Sequence, residues 1–442
     1  MSQILANNLL TQQFDMKSSK YKMVQQSPQT GGDVAVNTAG GQQVVFEIPP
    51  SVYNWSKTRF ECTATPSATA AKFNYFQLDG FSLIRTMKLT TRSGVEIFSC
   101  DDVAKFTNMV IRRNLNRNKA WSLEDNSFLE GAMVLKDRAL TIYRPTVAAG
   151  ITEIGHLQYI TVGGSGTASP VQTISYLFGL LYETIFAEDK SIFLGNDVVY
   201  LTITFHASNI PMFAADSATD NTSAPVAYAG SITLSNIKLY LAQDTNIETI
   251  NMLKSKVASP EGFRLLYKAP IYNKINLNSA SQSPSVKYNA ALGKRLCAIY
   301  HALYHATESS NTAFDHNNLA AAKVTSYYVT INNNRITDLN LTPATYMDYK
   351  FYKDSLDGTV MSDQDDYYFN WVIKTDLGAA VSVDQKTHYN PSFDNVIDGM
   401  PLTEEIKYDA VLTCVSATYN HYIFGIVQRE LLINSNGISI VN

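Results

Sequence analysis

Polar and apolar residues alternate along much of this chain, in short stretches separated by turn-forming residues. The strictest alternation is at Thr58–Thr63, and Val198–Phe205 and Ile232–Leu241 repeat it with β-branched and aromatic residues. Gln43–Pro50 has the same character until two prolines, which cannot donate to a β-ladder, end it. A period of two residues is that of a strand with one buried face. The pattern therefore predicts a chain built mainly of strands.

One arrangement occurs twice: a strand, a tight turn, a second strand and then a helix. The first copy is Leu83–Phe98, which turns at Gly94 and is followed by a helix that begins at Asp101. The second copy is Tyr327–Thr337, which turns at an Asn-Asn-Asn triplet and is followed by a helix that begins at Thr342. The two turns lie about 240 residues apart. The repeat predicts two similar β-rich halves.

A predicted helix over Asn246–Lys256 joins the halves and divides the chain into a first domain, 43–245, and a second domain, 246–442. Residues 1–42 are rich in Gln, Ser and Gly and lack hydrophobic periodicity, so they are predicted to form an N-terminal arm. The second domain closes with a strand over Glu430–Val441, which has a turn or bulge at Asn436-Gly437. The apolar residues at helical spacing in the joint are Ile247, Ile250 and Leu253.

Composition changes this picture mainly by exclusion. Of the 442 residues, 45% are hydrophobic, which excludes a chain that is disordered throughout. Only 17% are charged, which indicates that much of the protein surface is buried against neighbours. The formal net charge of −4 argues against long-range attraction to phosphate, so no sequence-specific nucleic acid binding is expected. The basic residues that do gather in sequence are interpreted as the solvated end of a helix. They are Arg112, Arg113, Arg117 and Lys119.

Candidate chemistry is sparse. His301 and His305 share one face of either a strand or a helix, but no third ligand accompanies them, so surface or interface histidines are the preferred interpretation. The run Asp363, Asp365 and Asp366 lacks the Gly and Glu of a calcium loop. No phosphate loop or complete nucleophile elbow occurs. The prediction is a protein that is not an enzyme, with no catalytic, cofactor-binding or metal-binding residues and no cofactor.

The cysteines are far apart in sequence and form no C-x-x-C pair. They are predicted to be buried, reduced thiols, as in a protein made in a reducing compartment. No secretory signal and no apolar window of the ~18 residues that a membrane helix needs is found. The cysteines are Cys62, Cys100, Cys297 and Cys414.

Several segments carry a resemblance to a known family. They are Val45–Pro50, Trp55–Thr63, Ser191–Phe205, Ser231–Ala242, Val329–Leu356 and Arg429–Asn442. Together they resemble the double jelly-roll major capsid proteins of double-stranded DNA viruses, which include virophages, Polinton-like elements and the adenovirus–tectivirus lineage. The resemblance implies an all-β chain of two consecutive eight-stranded jelly rolls with short helices in loops.

The resemblance also implies a function. Three copies would form a pseudo-hexagonal capsomer, and capsomers would build an icosahedral viral shell. The expected partners are other copies of the chain, penton proteins and minor or cement proteins, with an internal membrane left open. The protein would reside in the virion after synthesis in the host cytoplasm or nucleus. The alternatives are a spike or adhesin-type β-sandwich that binds a receptor or carbohydrate, and an all-β hydrolase or lyase with paired carboxylates.

Overall fold

Strands make up most of the chain in the structure, a computed structural model. It describes residues 21–69, 73–77, 81–114, 141–143, 157–161, 172–215, 226–277, 281–282, 285–288, 294–305, 322–331, 334–335, 373–376, 400–401, 406–414 and 419–441. The strands of the first half are β1 (Tyr21–Gln26), β2 (Val34–Val36), β3 (Gln43–Ile48), β4 (Val52–Pro66), β5 (Phe73–Gln77), β6 (Ile84–Thr91), β7 (Glu96–Asp101), β8 (Thr141–Tyr143), β9 (Leu157–Thr161), β10 (Gln172–Leu177), β11 (Ser191–Phe193), β12 (Val199–Phe205), β13 (Met212–Ala215), β14 (Val226–Ala227) and β15 (Ile232–Asp244).

The second half continues in the same way. Its strands are β16 (Phe263–Leu277), β17 (Ser281–Gln282), β18 (Ser285–Tyr288), β19 (Arg295–His305), β20 (Ala322–Ile331), β21 (Asn334–Arg335), β22 (Ile373–Asp376), β23 (Met400–Pro401), β24 (Ile406–Cys414), β25 (Tyr419–Asn434) and β26 (Gly437–Val441). The described helices are α1 (Val103–Asn114) and α2 (Ile247–Ala258), with 3₁₀ turns at Phe178–Leu180 and Ile185–Ala187.

Each half is built from two antiparallel sheets with the same connectivity. In the first half the main paths are β1-β15-β4-β10, here called sheet A1, and β3-β12-β6-β7, here called sheet B1. In the second half they are β16-β25-β19-β22, sheet A2, and β17-β24-β20-β21, sheet B2, in which β18 also pairs with β24. Both halves visit their sheets in the order A, B, A, B, B, A, B, A. This is the connectivity of a jelly roll, so the predicted pair of eight-stranded jelly rolls is confirmed.

The predicted repeat is also found in the structure. In the first roll β6 and β7 form a hairpin, with Gly94 at φ +89° in its turn, where glycine avoids the strain of a side chain. In the second roll β20 and β21 pair at Thr330–Arg335 and Ile331–Asn334. Both hairpins occupy the same end of their sheet. The helix predicted from Thr342 lies outside the described residues.

The core of the first roll lies between sheets A1 and B1. Phe60 of β4 contacts Phe46 of β3 edge to face, with ring centroids 6.2 Å apart, and approaches Phe205 of β12 at 6.4 Å. The inward positions of β4 and β15 alternate with half-buried outward ones, as the sequence pattern predicts. In β15 a register shift beside Asn236, at φ +50°, restores this alternation, so that both Leu234 and Ile237 are buried.

The prediction of an arm over residues 1–42 differs from the structure from Tyr21 onward. Strand β1 pairs with β15 along its whole length and is an edge strand of sheet A1, and Val34–Val36 pairs with β15 as well. Asn54 donates a hydrogen bond to the Tyr21 hydroxyl at 3.1 Å, and the Lys57 ammonium lies 4.4 Å from the centre of the Tyr21 ring. The sequence shows no hydrophobic period here because the apolar residues Met23 and Val24 are adjacent and therefore lie on opposite faces of β1, while its other positions are mostly polar.

Three loops of the first roll build a small additional sheet, β14-β13-β5-β9-β8. Its strands come from the connections between β4 and β6, β7 and β10, and β12 and β15. Residues 145–170 and 214–229 are rich in small residues, a composition typical of loops, and the structure places β9 in the first stretch and β14 in the second. These strands are short because the segments are rich in Gly, Ser and Thr, and pairing with a neighbour supplies the order that their own sequence does not.

The joint between the rolls is helical, as predicted, over Ile247–Ala258. Asn246 caps it by accepting a hydrogen bond from the backbone N–H of Glu248 at 3.0 Å. The inward face holds Leu253 and Val257, which are buried, and Ile250, which packs against the core, whereas the predicted Ile247 is 72% exposed. Gly262 follows at φ +67°, and a Cβ there would lie 2.8 Å from the Ile433 carbonyl oxygen. The chain therefore needs glycine where it enters the second roll.

The C-terminal residues form a hairpin of β25 and β26, which turns between Asn434 and Gly437. Leu431 and Ile433 are fully buried, and Ile438 is 7% exposed. The final segment is therefore two strands joined by the predicted turn at Asn436-Gly437, and its apolar residues belong to a core.

Candidate functional site: the interface between the two rolls

The outward face of sheet A2 packs against the first roll. Tyr272, Phe424 and Tyr300 are cross-strand neighbours on β16, β25 and β19. Phe106 of α1 reaches across from the first roll, with its ring centroid 5.2 Å from that of Phe424. Buried hydrophobic residues form one connected cluster from Phe46 of the first roll to Phe424 of the second. The described core is therefore continuous across the joint.

A buried ion pair lies within this interface. Lys268 of β16 donates a hydrogen bond of 2.8 Å from Nζ to Oε2 of Glu183, which belongs to the connection between β10 and β11 of the first roll. The Tyr300 hydroxyl donates to the other carboxylate oxygen at 3.2 Å. Glu183 is 2% exposed and Lys268 7%. Because each charge would be costly to bury alone, the pair favours only the arrangement in which the two rolls meet.

A second polar cluster lies at the start of α1. The Lys105 side chain is fully buried, 3.7 Å from Oδ1 of Asp102 and with its ammonium 4.9 Å from the centre of the Tyr422 ring of the second roll. His206, which follows β12, brings Nε2 within 3.6 Å of the same Asp102 oxygen. A cation over an aromatic face in a dry interface contributes up to about 2 kcal/mol. This cluster also joins the two rolls.

Both acidic residues have backbone conformations that residues other than glycine rarely adopt. Asp102 lies at φ +55° and Glu183 at φ +59°. Such strain costs on the order of 1–3 kcal/mol and persists where the surroundings determine it. In both places the conformation presents a carboxylate to a buried cation, so the local strain serves the interface.

The third connection is a hydrogen bond from side chain to backbone. The Tyr267 hydroxyl of β16 donates to the Ile97 carbonyl of β7 at 2.6 Å. Burial raises the pKa of Tyr267 to about 12, although the nearby Arg429 acts in the opposite direction. The phenol therefore stays protonated and remains a donor at any physiological pH. Together, the three connections and the shared core hold the two rolls as one block.

The residues considered in the sequence lie elsewhere or outside the described chain. His301 and His305 are both on β19, opposite Ile423 and Tyr419 of β25. Among the described residues no group of three or more side chains could hold a metal ion. Arg112 and Arg113 lie in the last turn of α1. Five further positions lie outside the residues that the structure describes: Arg117, Lys119, Asp363, Asp365 and Asp366.

Cys62, Cys100 and Cys297 are buried. Burial raises the pKa of the Cys62 and Cys100 thiols, and neighbouring carboxylates act in the same direction. These thiols are therefore poor nucleophiles. In the described part of the chain, no helix has the length and apolar character that crossing a bilayer requires.

Sequence reasoning missed the residues of this interface. A signal was present, since Glu183 is the one charged residue in the apolar stretch Leu177–Ala187, and Lys268 stands between Tyr267 and Ala269. An isolated charge in an apolar run predicts a buried partner of opposite sign. The sequence does not say which one, because the partners are separated by 85 residues.

Solved structures share this architecture over nearly the whole chain. The Faustovirus major capsid protein matches at a TM-score of 0.60 and 12% identity, covering 94% of this chain and 91% of that one. The chain has the fold of viral major capsid proteins. The mavirus major capsid protein matches at 0.52 and 11% identity, covering 96% and 90%. A chain of the Sputnik virophage structure matches at 0.53 and 11% identity, covering 97% and 91%.

No protein-family model and no curated protein matches the chain. At these identities the fold is shared while few side chains are. The double jelly-roll architecture is thus specified here by a sequence that differs from those of the matched capsid proteins at most positions.

Proposed function

We propose that this protein is the major capsid protein of a double-stranded DNA virus, a structural subunit and not an enzyme. Three copies form a capsomer in which six jelly rolls make a pseudo-hexagonal ring, and capsomers assemble an icosahedral shell. The observation that carries the proposal is the pair of rolls with identical connectivity, joined by a continuous core into one block. Three such blocks supply six similar units.

The physical properties of the chain support this role. Closed rolls leave few free strand edges, which would otherwise pair with other chains and aggregate. Many modest contacts between identical subunits then add up to a stable shell through multivalency. On this proposal the protein resides in the virion after synthesis in the host cell. Its partners there are other copies, penton proteins and minor capsid proteins.

The oligomeric state tests the proposal. The purified full chain is examined by mass photometry and by negative-stain electron microscopy. We expect a homotrimer, seen as a particle with hexagonal outline. A chain that stays monomeric at all accessible concentrations would contradict the proposal and would favour the receptor-binding alternative, which glycan-array and cell-binding assays then examine.

A further inference from the structure

One end of the second roll gathers three residues of the types that bind transition metals. It is the end where β24 of sheet B2 passes into β25 of sheet A2 through the four residues 415–418. Cys414 is the last residue of β24, and His421 is the third residue of β25. His305 is the last residue of β19 and pairs with Tyr419, the first residue of β25. The three residues therefore lie at the same end of the roll, on three different strands.

Both histidines lie on the inner face of sheet A2. Residues directly opposite each other in an antiparallel pair share a face, as do residues two apart on one strand. His305 pairs with Tyr419, which is two residues from His421, so the two histidines are diagonal neighbours on one face. The opposite face of the sheet carries Tyr422 and Phe424, which meet the first roll. The face of the two histidines is therefore the one toward sheet B2.

Cys414 lies on the facing side, the inner face of sheet B2. It belongs to the alternate residues of β24 that are apolar, whereas three of the four residues between them are polar. In a strand with one face in the core, the apolar set is the inner one. Packed sheets are about 10 Å apart, and diagonal neighbours within a sheet about 7–8 Å. The apolar set of β24 is Ile406, Tyr408, Ala410, Leu412 and Cys414.

We propose that His305, Cys414 and His421 form a zinc site, which ties the two sheets of the second roll together at this end. A thiolate and two imidazoles are ligands that suit zinc. Bonds of about 2.0–2.3 Å to one ion bridge strand positions with this spacing. Three protein ligands leave the fourth tetrahedral position to water. The site lies within one roll, so it goes beyond the proposed capsid role and does not depend on it.

The state of His421 fits that of a metal ligand. Its side chain is 4% exposed, and burial lowers its pKa to about 4. The imidazole is therefore neutral at physiological pH, and the neutral form is the one that binds a metal. In the sequence His301 and His305 have no third ligand near them. The fold supplies Cys414 and His421 from strands that are far away in sequence.

His301 is close to this site in sequence but does not belong to it. It lies on the same face of β19 as His305 and four residues away, which is roughly 13 Å along a strand. One ion cannot bind two histidines at that separation, so His301 is a matched control. The structure describes the strand positions of His301, His305 and Cys414 and not their side chains. The lack of a metal-binding group among the described side chains therefore does not bear on this site.

The test measures zinc in the full-length protein and in two variants, His305→Gln and His301→Gln. Each protein is stripped with EDTA, incubated with zinc chloride, dialysed and analysed by inductively coupled plasma mass spectrometry. We expect about one zinc per chain in the wild type and in His301→Gln. In competition with a chromophoric chelator, His305→Gln should bind zinc at least about tenfold more weakly. Zinc should raise the melting temperature of the wild type but not of His305→Gln, and circular dichroism confirms that both variants are folded.

Cobalt(II) in place of zinc reports on the ligands of the wild-type protein without any substitution. A thiolate ligand gives a charge-transfer band in the near ultraviolet, which Cys414→Ser should abolish and His301→Gln should leave unchanged. A wild-type protein that takes up neither ion, or that binds cobalt without this band, would overturn the site. Equal zinc affinity in His305→Gln and His301→Gln would also overturn it, since it would indicate adventitious surface binding only. Each of these results leaves the proposed function standing, because that function is tested by the oligomeric state.

Discussion

Glu183 and Lys268 illustrate how a single pair of residues can select one arrangement of two rolls. Each side chain is almost fully buried, and each comes from a different roll. A buried ion pair adds little net stability relative to a well-packed apolar pair, but breaking it leaves a charge in an apolar surrounding. The main effect of the pair is therefore to select one arrangement of the two rolls. Any other arrangement that buries these side chains leaves each charge without its counter-ion.

Lys268→Met is expected to lower the free energy of unfolding by about 3–5 kcal/mol, because the Glu183 carboxylate loses this cation while remaining buried. Urea denaturation measures the change. Tyr300→Phe is the matched control, since it removes only one hydrogen bond of the same carboxylate and is expected to cost about 1 kcal/mol. The double variant Glu183→Gln/Lys268→Met is expected to recover most of the loss. A Lys268→Met protein as stable as the wild type would show that the pair is not needed.

The buried His421 makes the stability of the folded protein depend on pH. It lies buried on β25, and loss of solvation lowers its pKa from 6.5 to about 4. The folded state therefore holds a neutral imidazole at pH values where the unfolded chain is protonated. Its contribution is complete above the unfolded pKa of 6.5 and is lost progressively as the pH falls towards 4. The full loss is about 3 kcal/mol.

We therefore expect His421→Gln to be less sensitive to acid than the wild type. Urea midpoints are measured at about pH 7.5 and about pH 4.5 for both proteins, and the wild type should lose more stability between them. Because carboxylates titrate equally in both proteins, the difference between the two losses isolates His421. Equal losses would mean that the folded protein accommodates the charged imidazole.

At the scale of elements, β1 shows how a strand can form without its own hydrophobic pattern. Its residues are mostly exposed or half-buried, yet it pairs with β15 through the whole range from Tyr21 to Gln26. Backbone hydrogen bonds do not depend on side-chain identity, so a free edge on β15 is enough to order it. The result is a complete sheet A1 with four strands along its main path.

Removal of residues 1–26 is expected to destabilise the first roll relative to removal of residues 1–20. Only the longer truncation deletes β1, and each lost hydrogen bond is worth about 1 kcal/mol, so a loss of at least about 2 kcal/mol is expected. Thermal and urea unfolding of the two proteins give the difference. The longer truncation should also aggregate more readily, because it uncovers the edge of β15. Identical unfolding curves would mean that β1 is an accessory strand.

For the whole molecule, the continuous core matters more than the division into two rolls. The hydrophobic cluster extends through the interface, and the buried Lys268 and Glu183 pair with each other across it. Domains with small polar interfaces move and unfold independently, whereas these two rolls share apolar contacts and buried charges. A subunit that must present both rolls in fixed relation benefits from this rigidity.

We expect the isolated subunit to unfold in one cooperative transition despite its two rolls. Differential scanning calorimetry should give a calorimetric enthalpy equal to the van't Hoff enthalpy, because neither roll is stable with its half of the interface exposed. Lys268→Met serves as the comparison. It weakens the interface between the rolls, and this is the change that would first split the single unfolding transition into two. Two resolved transitions in the wild type would instead show that each roll is an independent folding unit.

The sequence by itself determined the strands with a hydrophobic period, the duplicated hairpin and the helical joint. These features depend on local alternation, on turn residues such as Gly94 and on the Asn246 cap, all of which act within a few residues. Through its resemblance to capsid proteins it also indicated the two jelly rolls. The sequence shows no motif of a catalytic site. That the protein is not an enzyme remains a prediction.

Only the tertiary structure decided the rest. The place of β1, the exposed position of Ile247, the burial of His421 and the partner of Glu183 all depend on residues far away in sequence. Period and propensity describe a segment's own preference, whereas the edge of β15 or a cation from another roll is supplied by the fold. Interfaces between similar units are therefore where sequence patterns say least, because the same alternating strand can face water, its own core or a neighbouring roll.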